Sequence, residues 1–156
     1  HPVLITGLSH SSSDVRRSAA ELLTKQKTPL AVEPLSDAFV RSGEQKHVHL
    51  AVREALVRHR EFMDLNQIRE AAKSSDVNDT RIRAIRIIGG INDVETNTII
   101  QLAIKDSSPD IRVAATRAVM DSKETALRSI LAKAMEREKD KRVLRQMTLV
   151  YNAITR

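Results

Sequence analysis

Residues 109–119 read Pro-Asp-Ile-Arg-Val-Ala-Ala-Thr-Arg-Ala-Val, and this stretch decides the fold. Proline followed by an acid fits a helix start, because proline lacks an N–H that would stay unbonded there and the acid meets the positive end of the helix dipole. Apolar side chains then recur at a spacing of four, three and one residues, at Ile111, Ala115, Ala118 and Val119. This spacing is one face of a helix. The stretch therefore predicts an amphipathic helix whose apolar face is small and aliphatic.

The same pattern returns along the whole chain at intervals of 33, 32, 31 and 30 residues. The recurring first position is occupied by Asp14, His47, Asp79, Asp110 and Asp140. Two residues later come Arg16, His49, Arg81, Arg112 and Arg142. A period near 30 residues that combines a polar pair with an apolar row is typical of stacked repeats.

Each period is predicted to hold two helices joined by a short polar link. The second helices are expected over 14–25, 46–60, 78–90, 109–121 and 139–154. The first helices are expected over 2–8, 30–42, 64–74, 93–105 and 123–137. Gly43 and the pair Gly89–Gly90 are expected to end helices. Since no link is long enough to separate domains, we expect residues 1–156 to form a single domain.

Composition narrows the class of protein further. Aliphatic residues must build the core, because 41% of the chain is apolar but only 2% is aromatic. The chain has no cysteine, which excludes disulfides and thiolate metal sites, and it has no apolar run long enough to span a membrane. It begins with His1 rather than Met, so we expect a fragment of a longer protein, although irregular capping of a complete array is the alternative. The compartment is therefore not predicted.

The repeat resembles the HEAT-repeat family, and in particular the short HEAT-like repeats of bilin lyases of the phycobilisome type. Residues 109–119 carry the resemblance, together with 79–89 and 14–23, whereas the second repeat departs from it at His47 and His49. The resemblance implies an all-α fold: a right-handed α-α superhelix, or solenoid, of about five HEAT-like helical hairpins. It also implies a structural ladder between repeats, formed by Asp14, Arg16, Asp79, Arg81, Asp110, Arg112, Asp140 and Arg142.

The charges are unevenly divided between the two kinds of helix. The second helices and their flanks hold 17 Lys and Arg against 6 Asp and Glu, although the chain as a whole holds 26 against 20. Because the resemblance places second helices on the concave face, we predict a basic concave surface. Its candidate partner-binding residues are Arg53, Arg58, Arg83, Arg86, Arg117 and Arg145. A solvated charged face that binds nothing is one interpretation of this surface. Our functional prediction is an acidic protein partner, and the backbone of duplex nucleic acid is the alternative partner.

No constellation in the sequence predicts catalysis, a cofactor or a metal. His47 and His49 point about 200° apart on a helix, and no phosphate-binding loop, dinucleotide fingerprint or nucleophile elbow occurs. The scarcity of aromatic residues also disfavours base stacking and base flipping. We therefore predict a non-enzymatic scaffold for protein–protein interaction. The resemblance leaves open an accessory module of a larger bilin-lyase-like or redox enzyme.

Overall fold

The computed structural model describes residues 2–156, and they form ten α-helices without a strand. The helices are α1 (Pro2–Gly7), α2 (Ser13–Lys25), α3 (Val32–Val40), α4 (Lys46–Arg58), α5 (Leu65–Ser74), α6 (Asn78–Gly90), α7 (Thr96–Ala103), α8 (Pro109–Asp121), α9 (Leu127–Arg137) and α10 (Lys141–Ile154). Short 3-10 turns cover Pro29–Ala31 and Arg60–Phe62. Within residues 2–156, no helix has the length and apolar content needed to cross a lipid bilayer.

The predicted alternation of first and second helices is confirmed. Second helices α2, α4, α6, α8 and α10 begin within two residues of the predicted positions. The largest differences lie in the first helices, because α7 begins three residues later than expected and α9 four residues later. In α7 the cause is Asp93, whose carboxylate accepts the N–H of Glu95 at 3.2 Å and whose carbonyl accepts the N–H of Thr96 at 3.0 Å. This hydrogen-bonded turn replaces the first helical turn.

Polar side chains cap two of the five second helices, α8 and α10, whereas the N-cap residues of α2, α4 and α6 make no side-chain cap hydrogen bond. Asp140 is the N-cap of α10, and its Oδ1 accepts the N–H groups of Arg142 at 2.9 Å and Val143 at 3.1 Å. Ser108 caps α8, which then begins with Pro109. A cap of this kind stabilises a helix by about 1 kcal/mol, since it satisfies an N–H that has no partner inside the helix.

The chain divides into two compact units, which we call the N-terminal unit (up to Leu65) and the C-terminal unit (Asn66–Arg156). In the N-terminal unit, α2 packs against α4 and α3 packs against α4. In the C-terminal unit, α8 packs between α6 and α10. Both cores are mainly aliphatic, as the composition predicts, although the largest fully buried side chain is the aromatic Phe39 of the N-terminal unit. The other large buried side chains include Leu23, Leu35, Leu56, Ile85, Ile88, Ile99, Ile100, Ile111, Leu127 and Leu131.

The glycines predicted to end helices serve two different purposes. Gly43 lies between α3 and α4 with a φ of 76°, a conformation that side chains disfavour. Gly89 lies inside the last turn of α6 and is buried against α8. A Cβ added there would stand 2.7 Å from the Cβ and 2.9 Å from the carbonyl oxygen of Ala118. The sequence prediction for Gly89 was therefore incomplete, because its lack of a side chain lets two helices approach closely.

Candidate functional site

Arg112 in α8 joins the links of two successive repeats. Its Nε and Nη2 donate to the two carboxylate oxygens of Glu138 at 2.8 and 2.9 Å. Its Nη1 donates to the carbonyls of Asp106 at 2.8 Å and Ser107 at 3.2 Å, in the link that precedes its own helix. The two charged side chains are only 16% and 5% exposed. We call this arrangement an arginine clamp, because one guanidinium holds both links together.

Arg16 in α2 makes the equivalent clamp in the N-terminal unit. Its Nε and Nη2 donate to Glu44 at 2.8 and 2.9 Å, and its Nη1 donates to the carbonyls of His10 and Ser11 at 2.7 and 3.0 Å. Glu44 also accepts the N–H of Gln45 at 2.8 Å. The hydrogen bond from Arg16 lowers the pKa of Glu44, and the same bond raises the pKa of Arg16. The carboxylate is thus held ionised at neutral pH.

Arg81 in α6 extends the network within the C-terminal unit. Its Nη1 donates to Asp106 Oδ1 at 2.6 Å, and its Nε donates to the carbonyl of Ala72 at 3.2 Å. Burial raises the pKa of Asp106, but hydrogen bonds from the Ser108 N–H and from Arg81 outweigh burial and lower it overall. Because Arg112 binds the backbone of the same Asp106, these bonds run without a break from α6 to the link before α10.

The predicted ladder needs correction in its acidic half. The ladder was predicted to pair recurring arginines with recurring aspartates. Within residues 2–156, only Arg142 and Asp110 form such a pair, at 2.6 Å, and both side chains are well exposed. Arg16, Arg81 and Arg112 instead bind Glu44, Asp106 and Glu138. These acids lie in the links before the next second helix, where they also accept backbone N–H groups. Asp14 and Asp79 lie in the first turns of their helices.

The predicted partner-binding arginines of the C-terminal unit differ in exposure. Arg83 and Arg117 are half-buried, and Arg145 is exposed. Arg86 is only 7% exposed and pairs with Asp121 of α8 at 3.7 Å. Burial lowers the pKa of Arg86, the Asp121 carboxylate opposes this effect, and the nearby Arg117 cation adds to it. Arg86 therefore connects α6 to α8, and the prediction that a partner could reach it was wrong.

In the N-terminal unit, the two predicted arginines lie on α4. Arg53 is half-buried, whereas Arg58 is exposed and pairs with Glu54 one turn earlier at 3.2 Å. With the helix bounds of the structure, the five second helices hold 14 Lys and Arg against 6 Asp and Glu. The excess of cations is therefore smaller than the sequence suggested, since several cations counted there lie in links or at the terminus.

Two buried polar groups escaped the sequence prediction. Arg69 of α5 donates to both oxygens of Asp93, at 2.7 and 2.6 Å, and this pairing is the main cause of the lowered pKa of Asp93. His59 is fully buried, with Nδ1 at 2.7 Å from the Ala55 carbonyl and Nε2 accepting the Thr28 N–H at 3.2 Å. Both groups tie structural elements together within one unit. In the part of the chain that is described, no three acidic or histidine side chains cluster as metal ligands do.

These features define a class of protein built from stacked helical pairs, in which polar clamps join successive links. The comparison with known families agrees, because the family model for HEAT repeats matches residues 65–151. The match covers more than half of the chain, and the protein belongs to the HEAT-repeat family. No curated protein matches the chain. HEAT repeats are commonly scaffolds for protein interaction and are typically not enzymes.

Proposed function

We propose that this chain is a non-catalytic scaffold that binds an acidic protein partner through the cationic side chains of its second helices, on a basic concave face. The observation that carries the proposal is the excess of cations on those helices, 14 against 6 acids. An excess persists when the three arginines that bind link acids, Arg16, Arg81 and Arg112, are left out. The excess is largest in α10, which holds three cations and no acid. The accessible candidates are Arg53, Arg58, Arg83, Arg117 and Arg145.

Preorganisation is the proposed mechanism of binding. Close packing at Gly89 and the buried pair Arg86–Asp121 hold α6 against α8, so the half-buried Arg83 and Arg117 are carried by two helices of fixed spacing. Binding then orders fewer groups, which lowers its entropic cost. Cations on one surface also steer an acidic partner towards it and increase the association rate.

Charge reversal with a matched control tests the proposal. We would titrate fluorescent polyglutamate into the wild type, the double variant Arg83→Glu/Arg117→Glu and the control Lys123→Glu/Arg128→Glu. The control changes the net charge by the same amount, but at exposed residues outside the second helices. The proposal predicts at least a ~10-fold loss of affinity in the first variant, since two attractive pairs become repulsive. The control should lose less than about twofold. Equal losses in both variants would contradict it.

Binding to the backbone of duplex nucleic acid is the alternative that the same cations support. Fluorescent duplex DNA would be titrated at about 50 and 200 mM salt. Affinity that falls ~10³-fold or more would indicate several phosphate contacts and favour this alternative. Absence of binding at low salt would eliminate it.

The bilin-lyase-type subtype and a role as an accessory module of a larger enzyme also remain proposals, supported by the shortness of the repeats. Sequencing the complete reading frame tests the accessory role. A catalytic domain in the same frame would favour the accessory role, and a frame that encodes only further repeats would favour the scaffold.

A further inference from the structure

A pocket of ≈ 720 Å³ lies in the C-terminal unit. Its lining comes from α7, α9 and the links that follow them, and from Arg112 of the second helix α8, but from none of the accessible candidate arginines of the proposed function. Apolar side chains contribute to its lining: Ile104, Ile130 and Ala134. Ile104 belongs to the core, whereas Ile130 and Ala134 are partly buried and pack against the core. The pocket thus offers an apolar surface that a ligand could cover.

The charged lining of this pocket is mainly cationic. Its exposed cations are Lys105, Lys133, Arg137 and Lys139. Within residues 2–156, none of the four forms an ion pair with a carboxylate. The pocket has two acidic residues, Asp106 and Glu138, and both are already paired with Arg81 and Arg112. The clamps therefore neutralise the acids and leave the cations available.

We propose that this pocket binds an acidic protein segment that carries a large aliphatic side chain. The aliphatic side chain would cover Ile130 and Ala134, and carboxylates on either side of it would pair with the surrounding cations. Lys133 and Arg137 are four residues apart on α9 and therefore neighbours on one helix face. The proposal rests on the proposed function insofar as the chain is an interaction module, but it assigns a different surface and a more specific ligand.

A protein segment fits the pocket better than nucleic acid does. A sugar-phosphate backbone would neutralise the cations but would leave the apolar lining uncovered. Among residues 2–156, no aromatic side chain lines the pocket, so bases would find none on which to stack. Its volume lies within the ~300–1,000 Å³ usual for ligand sites, which is enough for a large side chain and part of the adjoining backbone.

The test uses a fluorescent acidic peptide with a central Leu-Ile pair and a second peptide in which Ser-Ser replaces that pair. Binding would be measured by anisotropy at about 50 mM salt, where charge pairs are weakly screened. Amide NMR shifts of the wild-type chain would locate the site. We expect the shifts to concentrate in α7, α9 and their C-terminal links. The Ser-Ser peptide should bind at least ~10-fold more weakly, because it buries less apolar surface.

Variants separate this pocket from the second-helix surface. Lys133→Glu/Arg137→Glu should weaken peptide binding at least ~10-fold. The control Lys123→Glu/Arg128→Glu has the same net charge but lies outside the pocket, so it should change the affinity less than about twofold. If the first variant fails to fold, Lys105→Ser/Lys139→Ser removes two other cations of the pocket and should weaken binding at least ~3-fold.

Each other outcome overturns the pocket proposal. Shifts in α6 and α8, with sensitivity only to Arg83→Glu/Arg117→Glu, would reject the pocket but leave the proposed function standing. Equal affinity for the two peptides would show that the apolar lining is not used. Displacement of the peptide by duplex DNA at lower concentration would indicate a nucleic-acid ligand instead. Absence of binding on either surface would reject both proposals.

Discussion

The close contact between Gly89 and Ala118 gives a sharp prediction about stability. Replacing Gly89 with alanine places a Cβ 2.7 Å from the Cβ of Ala118 and 2.9 Å from both its Cα and its carbonyl oxygen. Carbon atoms pack best at about 3.5–4.0 Å, so α6 and α8 would have to separate locally by roughly 1 Å. Backbone atoms are part of the clash, and a side-chain rotation cannot relieve it.

The expected cost follows from two opposing effects. Overpacking of a tight core costs about 1–3 kcal/mol, and a clash with backbone atoms belongs near the upper end. Alanine returns roughly 1 kcal/mol, because it is the better helix former. The net loss in the free energy of unfolding should be about 2 kcal/mol. For a chain of this size, that loss lowers the melting temperature by roughly 4–8 °C.

Urea unfolding followed by circular dichroism measures this effect. Gly7→Ala is a useful comparison, since the contacts given for its Cβ are with side-chain atoms, Ala19 Cβ at 2.9 Å and Val15 Cγ1 at 3.9 Å. We expect it to cost less than Gly89→Ala. Adding Ala118→Gly to Gly89→Ala removes the shortest contact, so the double variant should be more stable than the two single effects predict. A rise in stability for Gly89→Ala alone would refute the reasoning.

Three further predictions concern the polar contacts. Arg112→Gln should cost about 2 kcal/mol in urea unfolding, because a nearly buried carboxylate loses its counter-ion; an unchanged midpoint would contradict the clamp. Arg86→Met should cost about 3 kcal/mol, and Arg86→Met/Asp121→Leu should cost less, since the second change removes the carboxylate left alone. Arg69 lowers the pKa of Asp93 in the folded state. The pair should therefore stabilise the folded chain at any pH above the unfolded-state pKa of Asp93, and this stabilisation should be lost as the pH falls below about 4. In thermal melts at different pH values, Asp93→Asn should reduce the fall in melting temperature below pH ~4. An unchanged fall would contradict the role of the Arg69–Asp93 pair.

Periodicity made the repeats and the positions of the second helices predictable. The apolar spacing in residues 109–119 is local, so it is readable without knowing what the helix packs against. Starts of the first helices were less predictable. The late start of α7 depends on Asp93, whose turn is stabilised by Arg69 from the preceding first helix, 24 residues earlier in the chain.

The candidate site was harder to predict, because charge pairing depends on distant residues. Arg86 and Arg117 occupy equivalent positions in adjacent repeats, yet Arg86 is buried against Asp121 in the next second helix. The clamp partners are similarly distant: Glu44 follows Arg16 by 28 residues. A local signal did exist, since each clamp acid lies two to four residues before the next recurring position.

The central proposal is that an acidic protein contacts the second-helix surface. Photo-crosslinking from Met120 tests this proposal most directly. Met120 is 44% exposed and lies on α8, one turn after Arg117. We would introduce p-benzoylphenylalanine at Met120 and, as a control, at Arg128 of α9, and identify the crosslinked peptides in the native cells by mass spectrometry. The proposal predicts one recurrent protein, captured through an acidic segment from Met120 and not from Arg128. Capture of nucleic acid, or equal capture from both positions, would contradict it.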